Sequence, residues 1–135
     1  MLLHERPLAA SSWKDPSILA LSRRRNVNVV QCDQCMFGLT VPNKDGVQTP
    51  ARKPTKFMSN SDIMLKELGI TCNRQHEHEP LLSGKPRLAE TYPLQLVLAI
   101  LRGMQKTMEA RSAIQCVTEI ECERVLSLSL LSRQP

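Results

Sequence analysis

The chain has 135 residues, of which 41% are hydrophobic and 23% charged, and its formal net charge is +5. Only 3% are aromatic, so a core must be built mainly from Leu, Ile, Val and Met. The aromatic side chains are those of Trp13, Phe37, Phe57 and Tyr92. No apolar run approaches the roughly 20 residues that cross a bilayer, and residues 1–7 lack the apolar centre of a signal peptide. We therefore expect no membrane partner and an intracellular protein, cytoplasmic or nuclear.

The first part of the chain predicts a strand, a helix and a second strand. Residues 1–8 form a short apolar stretch typical of a strand end. Asp15 is a favourable helix N-cap with Pro16 in the first turn, and Arg23–Arg25 suit the negative end of that helix's dipole. The β-branched side chains of residues 27–30 then predict a short strand.

The middle of the chain predicts a long loop, a strand and a helix. Prolines and glycines without an apolar period lead us to expect an exposed loop over residues 40–54. Lys56–Met58 then predicts a short strand. Ser61 caps a helix that ends at Gly69, and residues 70–90 are expected to be irregular.

The clearest helix begins at Pro93. Its apolar residues recur at the helical spacings i, i+3, i+4 and i+7; these are Leu94, Val97, Leu98 and Leu101. The pattern predicts that this helix runs on through Met108 towards Ala113, whereas residues 117–131 allow either a strand or a helix. The expected fold is a partial, mixed α/β structure of two to four short strands and three or four helices, with long irregular loops.

The positive charge lies in the first part of the sequence. Residues 1–60 hold nine Lys and Arg against four Asp and Glu, whereas residues 61–135 hold nine of each. Basic patches attract phosphate backbones, although a solvated helix end and loop would look the same. On charge alone, the candidates for contact with DNA or RNA are Arg23, Arg24, Arg25, Arg52, Lys53 and Lys56.

Cysteine and histidine residues suggest a metal site. The chain has five cysteines and no secretion signal, which argues against a disulfide framework. A Cys-x2-Cys pair is followed, after 36 intervening residues, by Cys-x3-His-x-His, and zinc prefers four thiolate or imidazole ligands. The alternative is that the thiols are simply buried and the imidazoles exposed. The predicted zinc ligands are Cys35, Cys72, His76 and His78, with Cys32 as the alternate.

Catalytic patterns are weaker. The five glycines are scattered and form no phosphate-binding loop, and no Walker lysine follows them. No cysteine stands in a nucleophile signature, and the carboxylates form no hydrolase arrangement. The sequence therefore favours a chain that is not an enzyme.

A succession of short blocks carries a resemblance to a known family. In chain order, the blocks are residues 4–7 (His-Glu-Arg-Pro), 10–13, 32–39 (Cys-Asp-Gln-Cys-Met-Phe-Gly-Leu), 52–61 (Arg-Lys-Pro-Thr-Lys-Phe-Met-Ser-Asn-Ser), 72–78, 81–85 and 92–93. Together they resemble a segment of copia-type retrotransposon polyproteins adjacent to the reverse transcriptase. They are also similar to the later half of a cytosine-5 DNA methyltransferase-like module. The resemblance covers residues 2–103.

The resemblance implies roles for particular residues. Glu5 matches the position of a glutamate that contacts the cytosine ring, although Arg6 departs from the usual neighbour. Lys53, Pro54 and Thr55 would lie near the nucleic acid, and the Cys/His group would hold a metal. Residues 1–106 are then a methyltransferase-like half-module with a Cys/His cluster. Residues 107–135 are an unmatched C-terminal tail, helical or irregular.

The same resemblance also predicts what is missing. The glycine-rich turn for S-adenosylmethionine and the Pro-Cys nucleophile turn would lie upstream, so we expect no S-adenosylmethionine binding. The strand at residues 2–3 would lack its neighbours in a parallel sheet. The leading hypothesis is a non-catalytic retroelement polyprotein fragment that binds zinc and contacts nucleic acid and the remainder of its polyprotein. The alternatives are a free-standing zinc-stabilised binding module, or a partial methyltransferase inactive without its N-terminal half.

Overall fold

The computed structural model describes residues 1–82 and 84–131, with the side chains of residues 128–131 excepted. Ser83, which belongs to one of the resemblance blocks, and residues 132–135 of the predicted tail lie outside this range. The mixed α/β class is confirmed. The elements in chain order are β1 (Leu3–Pro7), a 3-10 turn (Ser11–Lys14), α1 (Pro16–Ser22), β2 (Asn28–Asp33), a second 3-10 turn (Gln34–Phe37), β3 (Thr40–Pro42), β4 (Gln48–Pro50), β5 (Pro54–Ser59), α2 (Asp62–Leu68), α3 (Lys85–Leu88) and α4 (Leu94–Leu131).

Three strands form one antiparallel sheet in the order β1-β5-β2. In β1, Leu3 lies opposite Ser59, and in β2 Asn28 lies opposite the same residue from the other side. The expectation that the first strand belongs to a parallel sheet is therefore wrong. Its neighbour is β5, and a long connection through α1 places β2 on the far side of that strand.

One face of the sheet packs against α2 and α4. Phe57 at the centre of β5 and Cys32 in β2 are fully buried there. Leu and Met side chains supply most of the remaining cluster, as the shortage of aromatic residues predicts. The buried members contributed by the helices are Met64, Leu65, Leu68, Leu96 and Ala99.

Helices α2 and α4 approach each other closely at Gly103. A Cβ atom at this position would lie 2.6 Å from the Met64 Sδ atom and 3.1 Å from the Met64 Cα atom. Beside this contact, the Ser61 and Thr107 hydroxyl oxygens are 2.7 Å apart. Thr107 donates to the Gly103 carbonyl, and Ser61 accepts from the Met64 N–H, so one polar chain joins the cap of α2 to α4.

The prediction of an exposed loop over residues 40–54 is wrong. β3 and β4 pair as an antiparallel hairpin, which raises the strands among the described residues to five where two to four were expected. Val41 and Ala51 are fully buried. Prolines suggested a loop, yet Pro42 and Pro50 each end a strand of a two-stranded pair, where a missing N–H is tolerated.

The hairpin turn is held by an asparagine side chain. The Asn43 side-chain oxygen accepts hydrogen bonds from the N–H groups of Asp45 and Val47, at 2.9 and 3.0 Å. Gly46 completes the turn with a φ of +78°, a conformation that glycine adopts without steric cost. The turn thus follows from local side-chain chemistry that a composition argument overlooks.

The hairpin carries a second, smaller apolar cluster. It comprises Leu39, Val41 and Ala51 together with Ala89, and half-buried Leu81 packs against it. Leu81 and Ala89 lie in the segment expected to be irregular, which is confirmed except for the short helix α3. The chain after α2 therefore returns to cover the hairpin.

Helix α4 settles the alternatives for the C-terminal segment. It begins at Leu94, one residue after the predicted start at Pro93, and continues through residues 117–131 as a helix of 38 residues. Every side chain from residue 111 to residue 127 is exposed. Of the helices in the described part of the chain, none combines the length and the apolar character needed to cross a membrane.

The close approach at Gly103 leads to a first prediction. Replacing a helical glycine with alanine normally stabilises a protein by about 1 kcal/mol. We expect Gly103→Ala to lower the free energy of unfolding by about 1–3 kcal/mol instead, because the new methyl group overpacks against Met64. Urea unfolding measures the change. Ser112→Ala on the exposed part of α4 is the control and should be neutral or slightly stabilising; a stabilised Gly103→Ala variant would contradict the packing.

Candidate metal centre

The structure brings all four predicted zinc ligands together. The side-chain ligand atoms of Cys35, Cys72, His76 and His78 all lie within 4.8 Å of one another. Cys35 is buried, and the other three residues are half-buried. Residues 37 positions apart in the sequence therefore converge on one point, and this is the arrangement that the four-ligand hypothesis requires.

Cys35 is positioned by the tight turn that follows β2. The 3-10 turn begins at Gln34, whose N–H donates to the Lys53 carbonyl at 3.2 Å. Its fully buried side-chain amide donates to the Thr55 hydroxyl at 2.9 Å, so the start of β5 supports the turn. Gly38 ends the turn with a φ of +84°, and its N–H donates to the Cys35 carbonyl.

The other three ligands lie on one short loop after α2. Arg74 adopts a φ of 59°, unusual for a residue other than glycine, and its N–H donates to the Cys72 Sγ atom at 3.3 Å. The Asn73 side chain accepts from the Gln75 N–H at 3.1 Å. The loop therefore curls around the Cys72 sulfur and returns His76 and His78 towards it.

The separations from the Cys72 sulfur to the two imidazoles suit a tetrahedral zinc ion. The Cys72 Sγ atom lies 3.7 Å from the His76 Nε2 atom and 3.4 Å from the His78 Nε2 atom. A tetrahedron with zinc bonds of about 2.3 Å to sulfur and about 2.0 Å to nitrogen separates its ligand atoms by about 3.3–3.8 Å. The two imidazole rings, 4.6 Å apart and inclined at 69°, avoid stacking and can both face one point.

Asp33 supports the site without belonging to it. Its carboxylate is only 1% exposed and accepts the Cys72 backbone N–H at 2.8 Å. It also accepts from the Arg52 Nε and Nη2 atoms, at 3.1 and 3.4 Å. This role of Asp33 was not predicted. The signal that could have predicted it is the position of Asp33 between two cysteines, near the end of a predicted strand, where its side chain would be buried.

The local environment acts in opposite directions on two of the ligands. Burial, followed by the hydrogen bond to Cys72, raises the pKa of the Cys35 thiol to about 11. Burial, followed by the neighbouring His76 and Arg52, lowers the pKa of His78. The lowered pKa favours the neutral form of His78 that binds metals, while the thiol retains its proton unless a cation replaces it.

Cys32 lies outside the cluster of ligands. The alternation of β2 directs its side chain into the main core, where it is fully buried beside Phe57. Burial, followed by the charge of Asp33, raises the pKa of its thiol to about 12. The alternate assignment of Cys32 as a ligand is therefore not favoured by the geometry.

Most of the basic residues of the second predicted patch have partners within the chain. Arg52 contacts Asp33, and the Lys53 ammonium donates to the Ala89 carbonyl at 2.8 Å. Thr55 is fully buried against Gln34. Lys56 is half-buried, with its ammonium 5.6 Å from the centre of the Trp13 ring. Their predicted role in binding nucleic acid stays a prediction.

Arg23–Arg25, the first predicted basic patch, have no such partners among the described residues. All three are exposed where α1 ends, and within the described residues none forms an ion pair. Two of them border a surface recess of about 380 Å³. The residues that line it are Leu2, Leu21, Arg24, Arg25, Asn26, Val27 and Asn60.

Glu5 is engaged with another part of the chain. The Tyr92 hydroxyl donates a hydrogen bond to its carboxylate, which joins β1 to the segment before α4. Burial, followed by this hydrogen bond, raises the pKa of Tyr92. The structure thus gives Glu5 a structural partner, and its base-contacting role stays a prediction.

Comparison with known proteins gave no match: no family model fits the chain, and neither the curated proteins nor the solved structures include a significant relative. The resemblance to a retrotransposon polyprotein and to a methyltransferase-like module accordingly stays a prediction. The geometry of the Cys/His cluster carries the functional argument.

The buried carboxylate leads to a second prediction. Asp33→Asn keeps the size of the side chain but removes the charge that holds Arg52 and the Cys72 N–H. We expect the free energy of unfolding to fall by about 1.5–3 kcal/mol and zinc affinity to fall about 10- to 100-fold. Denaturant unfolding and competition with a zinc chelator measure the two effects. Asp45→Asn at the exposed hairpin turn is the matched control, and equal behaviour of the two variants would contradict the role of Asp33.

Proposed function

We propose that the chain is a non-catalytic binding module stabilised by one structural zinc ion. The observation that carries this proposal is the convergence of two thiols and two imidazoles within 4.8 Å. Structural zinc sites are closed by four protein ligands, whereas catalytic sites leave a position for water or substrate. With Cys35, Cys72, His76 and His78 all bound, no position for substrate would remain.

The ion would join the turn after β2 to the loop after α2. Just after the ligands, the Glu79 N–H donates to the Pro50 carbonyl at 2.8 Å, and Glu79 also forms an ion pair with Lys85. Leu81 then packs on the hairpin cluster. Zinc at the loop would therefore support the hairpin as well as the loop, and its binding free energy would add to that of a core poor in aromatic residues.

Metal binding is the direct test, and it forms a third prediction. The purified chain should bind about one Zn²⁺, and Co²⁺ should give the visible absorption of a tetrahedral site with thiolate ligands. Cys72→Ser and His78→Ala should lose this absorption and unfold at lower denaturant concentration. Cys116→Ser on the exposed part of α4 is the matched control and should bind metal normally.

The outcome that would contradict the metal proposal is equally clear. Chelation should lower the unfolding temperature of the intact chain and leave that of Cys72→Ser unchanged. If the purified chain held no metal and chelator did not change its stability, the proposal of a zinc-stabilised module would be wrong. The four residues would then be ordinary polar and buried residues.

We further propose that the module contacts nucleic acid, beginning with Arg23–Arg25. The observation in favour is that these exposed guanidinium groups have no ion-pair partner in the described chain, and that two of them, those of Arg24 and Arg25, border a recess. Planar guanidinium groups suit phosphate oxygens, and several unneutralised cations attract a polyanion. The net charge of +5 acts in the same direction.

Salt dependence provides a fourth prediction. For single-stranded DNA, each phosphate contact contributes about 0.7 to the slope of log affinity against log salt. Replacing Arg23, Arg24 and Arg25 with glutamine should therefore reduce the slope by about 2 and weaken binding. Fluorescence anisotropy over a salt series measures both, and binding that does not change with salt would rule out phosphate contacts.

We also propose that the module derives from a copia-type retroelement polyprotein. What supports this origin is that the blocks behind the resemblance supply the site: residues 32–39 and 72–78 carry the ligands, and residues 52–61 carry supporting contacts. The antiparallel sheet weighs against the partial methyltransferase. Coding sequence upstream that continues into polyprotein motifs would favour this origin over a free-standing module.

A further inference from the structure

The face of the sheet opposite the main core carries a row of polar side chains. Arg6 in β1 and Gln31 in β2 both lie opposite Lys56 in the central strand. Because side chains alternate along a strand, these three residues lie on the opposite face from Phe57. We call them the Arg6–Lys56 row, and we infer that this row, together with Trp13, binds single-stranded nucleic acid.

The row contains a pair of like charges that no carboxylate neutralises in the described part of the chain. Arg6 and Lys56 are directly opposite each other in adjacent strands, a placement that costs stability. In the described part of the chain, neither is within ion-pair distance of a carboxylate. The adjacent acid, Glu5, lies on the other face and is engaged by Tyr92. An anion bound across the row would relieve the repulsion.

An aromatic ring lies beside the row. Trp13 lies 5.6 Å from the Lys56 ammonium and makes an edge contact with His4, at 5.2 Å between ring centres. Its indole N–H donates to the Pro7 carbonyl at 2.9 Å, which fixes the ring against β1. A half-buried ring held in place beside cations can stack on a nucleic-acid base at little entropic cost.

The fold places an aromatic ring beside a basic residue that is distant from it in the sequence. In the sequence, Trp13 and Lys56 are 43 positions apart, so no basic segment is interleaved with aromatic residues. In the fold, Trp13 meets Lys56 on the sheet, and Lys14 is exposed beside it. A ring flanked by cations suits a base and its phosphates better than it suits an acidic peptide, which needs no stacking surface.

The row also extends the basic surface that begins at Arg24 and Arg25. Their recess lies at the end of the sheet where Leu2 precedes β1 and Asn60 follows β5. The Arg6–Lys56 row is four residues further along the strands, about 13 Å away. A single strand of nucleic acid can span both. The inference therefore rests on the proposed contact with nucleic acid and gives it a second, defined site.

The single tryptophan makes the test direct. Titrating the zinc-loaded chain with oligo-dT should quench the fluorescence of Trp13, the only tryptophan in the chain, in step with binding followed by anisotropy of a labelled oligonucleotide. The double variant Arg6→Gln/Lys56→Gln should reduce the salt slope by about 1.4, the value for two phosphate contacts. Trp13→Leu should weaken binding about tenfold.

The matched control is Lys44→Gln/Arg87→Gln, which removes the same charge from the hairpin turn and from α3. It should change the slope by much less than the row variant. The inference would be overturned if oligo-dT left the Trp13 fluorescence of the wild-type chain unchanged and the row and control variants had equal salt slopes. If the Arg23–Arg25 variant then lost binding, the contact with nucleic acid would stand at that site alone.

The remaining outcomes are also decisive. An absence of any binding by a chain that holds zinc would remove the nucleic-acid proposal and this inference together, but would leave the metal module intact. Equal quenching by heparin would show a general polyanion surface and would overturn the assignment to nucleic acid. Stronger quenching by oligo-dT than by heparin supports stacking, because only the oligonucleotide offers bases.

Discussion

The buried carboxylate of Asp33 is the interaction on which the other parts of the structure depend. It lies at the last residue of β2 and accepts hydrogen bonds from Arg52, before β5, and from Cys72, after α2. Removing one partner of a buried charge lowers the free energy of unfolding by more than the pair contributes in net terms. Asp33 therefore couples the end of β2, the residues before β5 and the loop after α2. The sheet, the hairpin connection and the ligand loop all meet at this one side chain.

The candidate metal centre lies where two small apolar clusters come closest in the chain. β2 and Phe37 belong to the main cluster, while Leu39 and Val41, only a few residues later, belong to the hairpin cluster. Each cluster is small, and the second consists of Leu, Val and Ala side chains alone. A cross-link beside the hairpin cluster matters more than one within the main core, since only four buried residues form the hairpin cluster.

Local signals predicted local structure well. The caps at Asp15 and Ser61 and the start of α4 after Pro93 were correct, because each depends on residues within one turn. The hairpin was missed, because its prolines imitate a loop unless the pairing partner is known. The four residues of the Cys/His cluster were predicted from residue types and spacing, with Cys32 as the alternate, whereas the burial of Cys32 in the main core depends on the alternation of β2. The role of Asp33 and the contacts of Arg52 and Lys53 could not be predicted, because they join segments that are distant in the sequence.

Alternation along β5 separates two tasks on neighbouring residues. Thr55 and Phe57 face inward, one supporting the turn that carries Cys35 and the other filling the main core. Lys56, between them, faces the opposite side beside Trp13. A shift of one residue in the register would exchange these faces, so the core pins the basic row in place. The same strand that orders the metal centre thereby orders the surface proposed to bind nucleic acid, although the two sites share no side chain.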